Sequence, residues 1–328
     1  MKLASYQAGA GRPRLGVVEG KNVVDVRGAI ELVASKGTKS SLSNPKFKQA
    51  SSLLADSGTG PRDMIEALER GQEWLRALGI VAKSIIQSQP AGNKRAGAAK
   101  NLVTALASVR VRAPIPRPGK IVCVGLNYAD HAREQGIEPP RAPIFFLKSA
   151  NTISGPEDPI VLPPNSDKVD YEAEFAVVIG KGGRRISEES AYEHVAGYTI
   201  LHDVTARDMQ HADQQWYRGK SCDTFAPTGP VIVTRDEVRD PHNLAISLTL
   251  NGETMQDSNT SNLIFKVPYL ISYLSQSITW EVGDLISTGT PPGVGVFRKP
   301  PVFLKAGDTA SVSVEKLGTL TNPVVSES

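Results

Sequence analysis

Three prolines within eight residues divide this chain. In Ala113-Pro114-Ile115-Pro116-Arg117-Pro118-Gly119-Lys120 each proline lacks an amide donor and restricts the residue before it, so no helix can run through the segment. A domain boundary is expected there, giving residues 1–118 and 119–328. The charge changes sign at the same place: residues 1–118 hold 19 Lys and Arg against 8 Asp and Glu, whereas residues 119–328 hold 18 against 26. The basic charges are scattered, with no long run and no interleaved aromatics. That pattern fits docking against acidic protein surface better than nucleic acid, which is not expected as a partner.

The two parts differ in pattern. Residues Leu15 to Val26 read as a hairpin turning at Glu19-Gly20-Lys21-Asn22. Ser40 to Ser57, rich in Ser and Lys and broken by Asn44-Pro45, reads as at least partly loop. Met64, Leu68, Gly71, Leu75 and Leu78 then recur at helical spacing, with Pro61 suited to a first turn and Gly79 to the stop. Beyond the prolines come short strands between Gly/Pro turns: Ile121–Val124, Ile144–Leu147, Glu172–Ile179, Tyr198–Asp203, Val231–Val233, Ala245–Asn251, Leu285–Thr288 and Ala310–Glu315. This spacing predicts a β sandwich or barrel with a few helices.

Several classes of protein are excluded. No apolar stretch approaches the roughly 20 residues of a membrane span. Cys123 and Cys222 are too few and too far apart for a disulfide framework or a metal knuckle, which makes a reducing compartment the default. The opening residues Met1 to Tyr6 have neither an apolar nor an Arg/Ser-rich leader pattern, so a cytoplasmic location is expected. Gly219-Lys220-Ser221 ends like a phosphate loop, but Gln214 stands where that loop needs its first glycine. Nucleophile-elbow and zincin motifs are absent from the sequence.

What remains is acidic. In Asp170-Tyr171-Glu172-Ala173-Glu174-Phe175-Ala176-Val177-Val178-Ile179, strand alternation sends Phe175, Val177 and Ile179 to one face and Glu172 and Glu174 to the other, about 7 Å apart. Carboxylates so close repel unless a cation or proton lies between them. Asp203, at the end of an apolar strand, is a third acid that needs a partner. Oxygen ligands without cysteine suit Mg2+, Mn2+ or Ca2+. The same pattern also fits a solvated face paired with Lys or Arg, and spacing alone does not choose between the two.

From Lys120 to Leu320 the chain resembles the fumarylacetoacetate hydrolase family. The resemblance rests on Gly125-Leu126-Asn127-Tyr128-Ala129-Asp130-His131, Asp170-Tyr171-Glu172-Ala173-Glu174, His202-Asp203-Val204-Thr205-Ala206-Arg207-Asp208, Gly219-Lys220-Ser221 and Thr288-Gly289-Thr290-Pro291-Pro292-Gly293-Val294-Gly295, in that order. The run from Gly293 to Lys305 singles out one paralogue group. The resemblance implies an α+β chain: a mixed β-roll or sandwich catalytic domain over 119–328, usually a homodimer, and a small variable N-terminal α+β domain over 1–118. It implies one Mg2+ held by Glu172, Glu174 and Asp203, and substrates that are 2-oxo or 2,4-dioxo carboxylates.

Further site residues follow from the same comparison. His131 and Glu134, three apart, share a helix face, and the resemblance makes them a water-activating pair. Lys220 is expected in the catalytic wall, with Lys148, Arg207, Gln210 and Thr290 at the substrate oxygens. Trp216 and Tyr217 are expected to shape the pocket, and His194, His211 and His242 to pack or face solvent. For the paralogue group the resemblance implies enol–keto exchange of oxaloacetate. The alternatives are C–C hydrolysis of acylpyruvate or fumarylpyruvate-type diketo acids and decarboxylation of oxaloacetate, since all pass through one enolate.

Overall fold

A computed structural model describes residues 1–36, 44–88 and 102–327. They form two compact units, Met1–Arg112 and Ala113–Ser328. In the first, β1 (Lys2–Gln7), β2 (Arg14–Glu19) and β3 (Asn22–Asp25) form an antiparallel meander. The β2–β3 hairpin turns through Gly20 at φ 59°, as its sequence predicts. Four helices follow: α1 (Val26–Lys36), α2 (Pro45–Asp56), α3 (Met64–Glu69) and α4 (Gly71–Gln87). Short strands β4 (Val103–Ala105) and β5 (Arg110–Arg112) pair with β3 and β1.

Two expectations need correcting here, for identifiable reasons. The Asn44-Pro45 break starts a helix, because Asn44 accepts from the Lys46 amide and Pro45 takes the first position, where a missing N–H costs nothing. Residues 40–43 of the expected loop lie outside the described residues. The single helix predicted from Met64 to Leu78 is two, broken where Gly71 adopts φ 81°. Gly79 does not stop α4, whose buried stripe of Trp74, Leu75, Leu78, Val81, Ala82 and Ile85 continues past it.

In the second unit the strands are β6 (Ile121–Gly125), β7 (Ile144–Lys148), β8 (Ile153–Ser154), β9 (Ile160–Leu162), β10 (Val169–Asp170), β11 (Ala173–Ile179), β12 (Val195–His202), β13 (Thr205–Ala206), β14 (Ala226–Thr234), β15 (Ala245–Leu250), β16 (Glu253–Asn259), β17 (Leu285–Ser287), β18 (Thr309–Val314) and β19 (Gly318–Ser326). Helices α5 (Ala129–Gln135), α6 (Arg207–Ala212), α7 (Tyr217–Lys220) and α8 (Val267–Ser275) lie between them. One mixed sheet runs β14-β12-β11-β17-β6-β7, the β17–β6 pair being parallel. A second runs β16-β15-β18-β19-β9 and packs on β11 and β12.

This is the α+β roll expected, and all eight strand candidates are present. Strands β11 and β12 are buried on both faces, and Phe175 and Tyr198 stack between them with centroids 5.1 Å apart. The face that carries Glu174 is therefore interior protein. Strand β16 was not legible, because Glu-Thr-Met-Gln-Asp-Ser-Asn has no apolar alternation and owes its conformation to pairing with β15.

Candidate metal centre and active-site cavity

Strand register gathers the acids. Ala173 pairs with His202 and Glu174 with Leu201, and the Asp203 amide donates to the Glu172 carbonyl at 3.0 Å, so Asp203 stands across from Glu172. One oxygen from each of Glu172, Glu174 and Asp203 lies within 4.8 Å of the others, and all three side chains are buried. Glu174 Oε2 accepts from the Ser287 hydroxyl and from the Gly289 amide at 3.0 Å. Only glycine fits at 289, where φ is 99° and a Cβ would lie 2.9 Å from both Val124 O and Asn127 Cβ.

Three buried cations answer the acids. Lys220 Nζ reaches Glu172 at 2.9 Å and Asp203 at 2.6 Å, and Lys148 Nζ holds Asp203 Oδ1 at 2.6 Å and the Val204 carbonyl at 3.0 Å. Arg207 binds Glu172 at 2.6 Å, Asp170 at 2.8 Å and Gln210 Oε1 at 3.0 Å. Burial opposes the charge on Glu172, but Lys220 and Arg207 outweigh it and hold its carboxyl well below the usual range. Burial also opposes the charge on Lys220, and Asp203 and Glu172 outweigh that, raising the ammonium.

Glu174 is the exception. Burial, then Asp203 and Glu172, push its carboxyl well above the ordinary value. Burial is the larger cause, and the balance of charges adds to it: Asp170, Glu172, Glu174 and Asp203 are buried beside Lys148, Arg207 and Lys220. The site is one cation short, and the shortfall falls on a carboxylate whose Oε1 accepts from no donor among the described residues. Hard oxygen donors and unmet negative charge fit a hard divalent cation, and the pairing with Lys and Arg exists beside that capacity in an interior setting.

Above the acids lies a cavity of about 170 Å³. His131, Lys220, Arg207, Gln210, Thr290, Glu172 and Glu174 line it, as do Trp216, Phe297 and the exposed His211. Lys148 does not; its ammonium is held by Asp203 and the Val204 carbonyl. Tyr217 is 54% exposed and bonds Ser149 instead of shaping the pocket. On the one face of α5, His131 Nδ1 meets Glu134 Oε2 at 2.8 Å. His194 donates from Nδ1 to the Lys181 carbonyl at 2.7 Å, since a carbonyl oxygen only accepts.

Sequence reasoning missed the supports. Asp170 accepts from Arg207 and from the amides of Tyr171, Gly295 and Val296, joining the metal-type site to the glycine-rich loop. Gln256 accepts from the Ala173 amide at 2.8 Å and donates to Thr290 Oγ1 at 2.9 Å. A glutamine in a polar strand leaves no signal in sequence, whereas Asp170 stood inside a quoted motif. A larger cavity of about 860 Å³ lies in the first unit, but Arg14, Arg27 and Arg62 there are already paired with Asp25, Glu31 and Glu66.

An α+β roll that sets three buried carboxylates under a small cavity, with a His–Glu pair at its rim, defines a class of oxygen-ligand metal-site proteins. The model of the fumarylacetoacetate (FAA) hydrolase C-terminal family matches residues 120–325. The chain belongs to the fumarylacetoacetate hydrolase family of enzymes. It is 50% identical over 275 residues, 83% of each chain, to a Bos taurus protein named oxaloacetate tautomerase FAHD2A, mitochondrial. The solved fumarylacetoacetate hydrolase of Exiguobacterium antarcticum superposes over the full length of both chains at 33% identity and a TM-score of 0.75. A Sphingobium maleylpyruvate hydrolase, solved with manganese(II) and pyruvate, does so at 28% identity and 0.70.

One expectation is overturned. Curated relatives at 47 to 50% identity are named as mitochondrial, which points away from a cytoplasmic location. The first residues were a poor guide because Lys2–Gln7 is a strand, and its sequence records a fold and not a compartment. No helix among the described residues is long and apolar enough to cross a membrane.

Proposed function

We propose that this chain interconverts the enol and keto forms of oxaloacetate, with a divalent cation held by Glu172, Glu174 and Asp203. The observation that carries the reading is the small cavity, about 170 Å³, that joins Glu172 and Glu174, two of the three clustered carboxylates, to His131. It suits a four-carbon acid, and the name of the Bos taurus relative supports that substrate. Mg2+ is the proposed metal, with Mn2+ or Ca2+ as alternatives; the manganese and pyruvate in the Sphingobium enzyme support the class of ion and ligand.

A bound cation supplies positive charge that favours the enolate oxygen. The chain's own residues do the rest. Ketonisation takes the proton from the enol oxygen and adds one at C3, breaking no other bond. His131, oriented by Glu134, is the proposed proton carrier, and Lys220 supports the charge on the neighbouring carboxylates. Arg207, Gln210 and Thr290 are the proposed substrate contacts, and Lys148 acts through Asp203. The chemistry is assigned to residues 119–328, with 1–118 as a separate variable unit.

The His131–Glu134 pair also favours a second reading, C–C hydrolysis of an acylpyruvate-type diketo acid; oxaloacetate decarboxylation is a third outcome of the same enolate. Homodimerisation is proposed as well: β7 pairs only with β6 among the described residues and exposes Ile144 and Leu147. Light scattering of the purified chain tests it. Function is tested by proton NMR of the protein with Mg2+ and fresh enol-oxaloacetate, with acetylpyruvate in parallel. Accelerated ketonisation with all carbon retained supports the tautomerase; acetate and pyruvate from the second tube support the hydrolase; labelled CO2 release supports the decarboxylase.

A further inference from the structure

We propose that Gln135 is a positioning residue that withholds His131 from water and so steers the site from hydrolysis toward tautomerisation. The inference rests on the tautomerase reading and deepens it.

Gln135 is the last residue of α5, four after His131, and lines the same cavity. Helical spacing puts 131, 134 and 135 on one face. His131 thereby has both ring nitrogens engaged: Nδ1 by Glu134 at 2.8 Å and Nε2 by the Gln135 amide nitrogen at 2.9 Å. An amide NH2 only donates, so Nε2 is the bare nitrogen and Nδ1 carries the proton toward the carboxylate. The tautomer is fixed from both sides. Phe297 adds a ring 5.9 Å from the imidazole centroid, and Glu134 is the carboxylate bonded to the ring.

The consequence concerns what can reach Nε2. A ring nitrogen has one in-plane lone pair, and hydrolysis needs it for a water: the water oxygen bonds to the distal acyl carbon, its proton goes to Nε2, and the C–C electron pair leaves on the pyruvate C3, which takes a proton. Gln135 already fills that lone pair, and its amide is tethered one helical turn away, so a free water must displace it. Enol–keto exchange needs no nucleophile. A substrate held against the floor presents its own enol hydroxyl already in place, so it can replace the amide without the ordering that a free water must undergo. Rotated about its last torsion, Gln135 presents its carbonyl oxygen and accepts from protonated Nε2, so the same residue supports His131 in both states.

The test compares the wild-type chain with Q135M, which keeps length and helix preference but cannot hydrogen-bond, and with Q135E. Rates of oxaloacetate ketonisation and acetylpyruvate hydrolysis are measured with Mg2+, alongside nitrogen-15 NMR of histidine-labelled protein. In Q135M the ratio of hydrolysis to ketonisation should rise about fivefold to tenfold, the size of one net hydrogen bond, and the His131 signals should leave the single-tautomer pattern. In Q135E, where a carboxylate accepts, His131 should shift toward the doubly protonated form. A folded Q135M with an unchanged ratio and unchanged His131 signals overturns the inference while leaving the tautomerase reading intact. A wild-type chain that does not ketonise oxaloacetate overturns both.

Discussion

Replacing Asp170 should be costly for the fold, although it carries no proposed chemistry. Its side chain is fully buried and satisfies four donors: the Tyr171 amide at 2.8 Å, Gly295 at 2.7 Å, Val296 at 3.0 Å and Arg207 Nε at 2.8 Å. Asp170→Ala leaves the guanidinium with one carboxylate instead of two, and takes the acceptor from three amides, those of Tyr171, Gly295 and Val296. Breaking a buried ion pair costs about 3–5 kcal/mol, and an unsatisfied buried donor about 1–3 kcal/mol; since these losses share one cluster and are not additive, about 4–6 kcal/mol is expected. Asp170→Asn keeps shape and one acceptor oxygen and should lose about half as much. Urea unfolding of the second unit, followed by near-ultraviolet dichroism with unchanged slope, measures both. The same variants should weaken Mn2+ binding by roughly 10–100-fold, because Arg207 orients Glu172. A cost below about 1 kcal/mol for Asp170→Ala would mean that the anion is not what holds Arg207 and the loop.

Four further outcomes are expected. Glu174→Gln should abolish the rise in melting temperature that Mn2+ or Mg2+ gives the wild-type chain, and chelation should abolish turnover; activity in fully stripped protein would refute the metal assignment. His131→Ala should collapse acetylpyruvate hydrolysis, and a tautomerase that survives it must carry its proton on another group. Gly289→Ala forces an L-residue to φ 99° against Val124 O and Asn127 Cβ, which should cost more than about 2 kcal/mol and misplace Glu174, read as lost stability and lost metal affinity together. Acid should weaken the fold through His242, whose value burial and Lys266 pull down to about 4 while its Nε2 accepts from the Val267 amide that opens α8. The unfolded chain takes up that proton near pH 6.5, so this stability is whole above 6.5 and drains as pH falls toward 4; His242→Gln should flatten that limb of a stability–pH curve.

The difference between what was legible and what was not follows from where each signal is stored. Strands such as Ile121–Gly125 and Leu285–Ser287 announce themselves because burial demands apolar, β-branched residues bounded by turn formers. Glu172 and Glu174 are legible for the opposite reason: charges in such a strand are anomalous, and an anomaly invites explanation. The supports of the site lack either mark. Gln256, Ser287 and the Gly289 amide are ordinary polar groups whose importance arises only when register brings them to Ala173, Thr290 and Glu174. Lys148 shows the converse limit, since the family resemblance puts it at the substrate oxygens but does not count the partners, Asp203 and the Val204 carbonyl, that hold its ammonium. Gly71 shows that even local punctuation is conditional, for it breaks a helix while Gly79, eight residues on, sits inside one because Val81, Ala82 and Ile85 still need burial. Charge balance is the quantity that links these levels: the composition of the second part already runs acidic, but only the fold reveals that its surplus converges on Glu174, where a cation has a reason to bind.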